Sequence, residues 1–76
     1  MDTFQLEIHL SRHAICMAYE RDVDIELIDL CVRTGKLVRI GKNYLKFIKT
    51  YENRKIICVA QINQERIKII TVEVGR

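Results

Sequence analysis

Seventy-six residues are enough for one small domain, whose chain buries only about 60–65% of its unfolded surface. An apolar fraction of 49% beside 30% charged residues excludes a disordered tail, and no apolar run approaches the roughly 20 residues that span a bilayer. The net charge of +3 conceals a division, since residues 1–31 carry −5 and residues 32–76 carry +8; this points the second half toward an anionic partner.

Phe4, Leu6, Ile8 and Leu10 alternate with Gln5, Glu7 and His9, the period of a half-buried strand over 4–10. His9 falls on the polar side of that strand and reads as an exposed residue. Ser11 can cap a helix over 12–21 whose apolar side carries Ala14, Ile15, Met17 and Ala18. Asp22 suits the turn that follows, because a short polar side chain tolerates left-handed backbone. Asp24 is positioned as a second N-cap, with Val23 and Ile28 spaced as a hydrophobic staple. That helix covers 25–33, has Arg33 in its last turn, and stops at Gly35.

Beyond Gly35 the pattern is one of strands: 37–40, 44–51, 55–62 and 66–74. The intervening turns, at Gly41-Lys42-Asn43, Glu52-Asn53-Arg54 and Asn63-Gln64-Glu65, are too short for anything but antiparallel neighbours. Ile56 to Ala60 is apolar on both faces and belongs at the centre of the sheet. If the helices cover the face carrying Leu45 and Phe47, then Tyr44, Lys46 and Ile48 occupy the other. Ile70, Val72 and Val74 suit the helix side of the last strand, leaving Ile69, Thr71 and Glu73 opposite. Tyr44, Lys46 and Thr71 are therefore expected on one face. The expected fold is α+β, with two N-terminal helices packed on a twisted antiparallel sheet.

Cys16, Cys31 and Cys58 are odd in number, far apart and without C-x-x-C spacing. They read as buried, reduced thiols rather than as metal ligands or a redox pair. Met1-Asp2-Thr3 is acidic and no secretory signal follows, so the expected compartment is the cytoplasm. No cofactor or metal is expected, nor any membrane partner; the thin core leaves room for a homodimer.

Residues 11–23 carry the most chemical information. His13 opens the first helix and Arg21 closes it, a titratable group and a permanent cation in one short segment. His13-Ala14, Met17, Arg21, Val23, Gly35 and Ile69-Ile70-Thr71-Val72 follow one another in an order that resembles a family of small prokaryotic domains of unknown function. That family is related to the RelE/ParE and BrnT toxins, and its first helix reads roughly H-A-x-x-R-M-x-x-R-G-I. This chain departs from it with Cys16 where the first Arg is usual and Asp22 where the Gly is usual. The resemblance covers nearly the whole chain. It implies a single RelE-like domain over 1–76, RNA as substrate (in some members on the ribosome), and a small antitoxin as partner.

Metal-free RNA cleavage needs a base for the 2′-OH, cations for the developing phosphorane and an acid for the leaving oxygen. His13 is the candidate acid/base, and Lys46 and Arg21 are the charge stabilisers. Tyr44 is a stacking or hydrogen-bonding group, and Thr71 a positioning hydroxyl. The expected function is accordingly a toxin-type, metal-independent endoribonuclease. The alternative is a non-catalytic module of the same fold that binds nucleic acid or protein, with Thr71-Val72-Glu73-Val74 available at a sheet edge to accept a strand.

Overall fold

The computed structural model describes residues 7–64 and 66–75. The elements are β1 (Glu7–Leu10), α1 (Arg12–Glu20), α2 (Ile25–Thr34), β2 (Lys36–Arg39), β3 (Tyr44–Tyr51), β4 (Arg54–Asn63) and β5 (Arg66–Gly75). The expected strand over 4–10 lies in part outside the described residues; its described end is β1.

Each helix begins where its cap is written. The Ala14 amide donates to Ser11 Oγ at 3.0 Å and starts α1. The chain then reverses through Asp22 at φ 56°, and α2 follows Asp24, whose extended backbone makes it the N-cap without a side-chain capping bond. Gly35 ends α2 in extended backbone, φ −76° and ψ 171°. Its glycine is required by space rather than by handedness. A Cβ there would stand 2.4 Å from the Cys31 carbonyl oxygen and 2.7 Å from that of Ile48.

The five strands form one sheet in the order β1-β5-β4-β3-β2. β2 to β5 make the antiparallel meander that the short turns dictate. The β3–β4 turn places Glu52 and Asn53 at φ 51° and 67°, the double left-handed geometry of a tight hairpin. β1 differs from expectation in running parallel to β5, with Glu7 opposite Arg66 and Leu10 opposite Ile69. No hairpin ties β1 to a neighbour. It leads into two helices, a connection long enough to permit parallel pairing with the far end of the chain. The sheet is therefore mixed.

Both helices pack on one face. Ala14, Ala18, Leu27, Ile28, Cys31 and Val32 meet Leu45, Phe47, Ile56, Cys58, Ala60, Ile67, Ile69 and Val72, all buried. Phe47, the largest fully buried side chain of the described residues, and the fully buried Ile28 anchor α2 to the middle of the sheet. A β-bulge between Val59 and Ala60 pairs Val59 with Thr71 and Ala60 with Ile69, leaving Ile70 over. It corrects the expected facing of the last strand: Ile69 is fully buried on the helix side and Ile70 only half-buried. Thr71 stays on the far face, because one extra residue restores the alternation beyond the bulge.

Cys31 and Cys58 are buried as expected, whereas Cys16 is exposed on the outer side of α1. An α1 packed through Ala14 and Ala18 has no room to turn its neighbour at position 16 inward.

Candidate functional site on the uncovered sheet face

No layer of the described residues covers the face of the sheet opposite the helices. The register sets the side chains there in rows. One row runs Val38, Lys46, Val59, Thr71 across β2, β3, β4 and β5. The next runs Tyr44, Gln61, Lys68, His9 across β3, β4, β5 and β1. Neighbouring strands lie about 4.8 Å apart, so Lys46 and Thr71 are held about 10 Å apart with Val59 between them. That gap is within reach of a lysine stem and a phosphate.

Lys46 and Thr71 are half-buried and Tyr44 is exposed. The apolar neighbours Val38, Ile48, Ile57 and Val59 are only half-buried as well, leaving a low apolar floor between the polar groups. Lys36, Lys46, Lys55, Arg66 and Lys68 share this face with two carboxylates, Glu7 and Glu73. The segment from Arg12 to Thr34 reverses the balance, with three cations against five anions. The sheet thus separates an acidic helix layer from a basic open face.

The structure brings together Tyr44, Lys46 and Thr71. It does not bring His13 or Arg21 to them. Both belong to α1 and its end, on the other side of the sheet, and at 1.5 Å per residue they stand about 12 Å apart along the helix. His13 is exposed. Arg21 Nη1 lies 3.4 Å from Met17 Sδ and 3.9 Å from Glu20 Oε2, an end-of-helix packing. The carbonyl of Arg21 and that of Asp22 accept from Arg54 Nη1 at 3.5 and 3.1 Å. This clips the interhelical turn to the β3–β4 hairpin.

A concavity of about 690 Å³ lies elsewhere, between α2 and the β3–β4 hairpin. Five carboxylates, Asp22, Asp24, Glu26, Asp29 and Glu52, line it against two cations, Arg33 and Arg54, a balance that disfavours phosphate. Volume is a poor guide here, because extended anions bind flat charged faces as readily as hollows.

Two polar residues of β1 also stand on the open face. Glu7 and His9 point away from the core because Ile8 and Leu10 point into it, and they meet at 2.9 Å. The alternation of β1 carried that signal; the pairing with β5, which supplies the cations beside them, did not show. Among the described residues no three His, Cys, Asp or Glu side chains are grouped so as to hold a metal ion.

A family model for a domain of unknown function, DUF4258, matches residues 10–74. The chain belongs to the DUF4258 family. The match takes in both helices and β2 to β5, hence Tyr44, Lys46 and Thr71, and leaves Glu7 and His9 just ahead of it. No curated protein and no solved structure is significantly similar to the chain. No helix among the described residues is long and apolar enough to cross a membrane.

Proposed function

We propose that this DUF4258 protein binds RNA on its uncovered sheet face and cleaves it as a toxin-type, metal-independent endoribonuclease. The observation that carries the reading is the row placing Lys46 and Thr71 on either side of Val59, with Tyr44 in the next row, on a face whose charge is positive. Lys46 would meet a backbone phosphate, Tyr44 a base or ribose, and Thr71 a neighbouring phosphate oxygen. Such contacts are electrostatic first and sequence-specific only where base edges are met. A cytoplasmic location belongs to the same proposal. So do kinship with the RelE/ParE and BrnT toxins and a small antitoxin partner, which rest on the order of residues from His13 to Val72.

A second reading, a binding module without chemistry, has one observation in its favour. β1 flanks β5 only over Arg66 to Ile69, so among the described residues no strand pairs with the outer edge of Thr71 to Val74. An added strand could dock there.

Incubating the purified protein with single-stranded RNA in EDTA separates the two. The ribonuclease reading expects cleavage that persists in EDTA and falls steeply in Lys46→Ala. Binding without cleavage leaves the module, and absence of binding at low salt removes both as nucleic-acid readings.

A further inference from the structure

On the uncovered face His9 stands beside a carboxylate that also meets a cation. Its Nε2 lies 2.9 Å from Glu7 Oε2, and the same oxygen lies 3.7 Å from Arg66 Nε. Lys68 is its register partner on β5, and the row continues through Gln61 to Tyr44. About half of the His9 side chain is open to solvent, so a substrate on the face can reach it. The Glu7 carboxyl is held below its ordinary range by the hydrogen bond with His9, then by the charge of His9 and that of Arg66. Glu7 thus stays an acceptor for the ring.

We propose that His9 takes the 2′-OH proton in RNA cleavage, with Glu7 positioning its ring and Lys68 and Arg66 holding the phosphate. The inference rests on the ribonuclease reading above and names its base. A carboxylate at Nε2 keeps the ring proton on that nitrogen and leaves the Nδ1 lone pair free. Nδ1 accepts the 2′-OH proton as the 2′-oxygen bonds to the adjacent phosphorus. The bond from phosphorus to the 5′-oxygen then breaks. The leaving oxygen takes a proton from the Lys68 ammonium, which regains one from water, while His9 returns its own to solvent. The products are a 2′,3′-cyclic phosphate and a 5′-hydroxyl, and no electron changes hands. Of the elements packed against β1, β5 presents Arg66 and Lys68 to this corner. α1 begins with Arg12 and His13 across the sheet.

The test is cleavage of a single-stranded RNA at low salt in EDTA, between pH 5 and 8, with RNA binding measured in parallel. His9→Ala should lose about 10²–10⁴ in rate while binding RNA as the wild type does. Glu7→Gln should lose less, with the loss falling on kcat and KM unchanged, because the ring is no longer held for proton transfer; a merely structural Glu7 would not divide the two in this way. Wild-type rates from His9→Ala overturn the inference and leave the ribonuclease reading standing. Loss in His13→Ala with none in His9→Ala returns the role to α1 and overturns it equally. A wild type that does not cleave ends the ribonuclease reading, and the inference with it.

Discussion

Lys46 and Thr71 face the same side of the sheet from strands that do not touch, each paired with Val59 of the strand between them. The bulge at Ile70 makes this possible. In an unbulged strand Ile69 and Thr71, two residues apart, would share a face. Deleting Ile70 should therefore keep both the fold and the row, because Ile69 and Thr71 then become neighbours that alternate in the same register. The measurement is urea unfolding, with a retained cooperative transition as the expected outcome; replacing Ile70 by two residues should instead lower the midpoint.

Lys46→Ala should weaken RNA binding without unfolding the protein, because its side chain lies on the uncovered face and not in the helix-facing core. If Lys46 neutralises one phosphate, the slope of log affinity against log salt should fall by about 0.7 for a single strand. Binding titrations at several salt concentrations measure it.

Gly35→Ala should destabilise the domain by about 1–3 kcal/mol, the usual cost of forcing an extra methyl into packed surroundings. The added carbon meets two backbone oxygens, which cannot swing aside as a side chain would. A thermal or urea melt of the variant reads the difference directly.

The three cysteines should react in two classes with a thiol reagent under native conditions. Cys16 is exposed and should be modified first; Cys31 and Cys58 are buried and should wait for unfolding. Cys31 Sγ donates to the Phe47 carbonyl at 3.3 Å, and the hydrogen bond with Cys31, together with burial, pushes the Cys58 thiol up. A protonated, enclosed thiol is a poor nucleophile. Counting thiols modified with and without denaturant checks the division.

The Glu7 carboxyl should titrate below the ordinary range of its type, and His9→Ala should return it upward, since the largest cause is the hydrogen bond with His9. The sign for stability follows. A depressed carboxyl contributes above its unfolded pKa, and that contribution is lost as pH falls through the folded one. Carboxyl NMR titration of the wild type and the variant reads both midpoints.

Much of this fold was legible in the sequence because its order is local. Ser11, Asp22 and Asp24 mark the helix boundaries through their own chemistry, and short turns leave β3, β4 and β5 no pairing but the antiparallel one. What is set over distance was not legible. The parallel partner of β1 lies at the other end of the chain, and the bulge at Ile70 adds one residue to the stretch Ile69-Ile70-Thr71-Val72, whose adjacent apolar pair reads equally well in either phase. The candidate site shares that division. Tyr44, Lys46 and Thr71 follow from alternation along the strands, whereas His13 and Arg21 were grouped with them by residue type and fall on the far side of the sheet. The cations beside His9, Arg66 and Lys68, reach it only through the pairing of β1 with β5, which alternation along β1 does not reveal.

The central claim is that the uncovered sheet face, and not the acidic helix side, receives RNA. Amide chemical-shift mapping of the isotope-labelled protein with a short single-stranded RNA at low salt tests it most directly. The account predicts shifts at Tyr44, Lys46, Val59, Lys68 and Thr71, with α2 little changed. Shifts confined to Asp24, Glu26 and Asp29, or none anywhere, would contradict it.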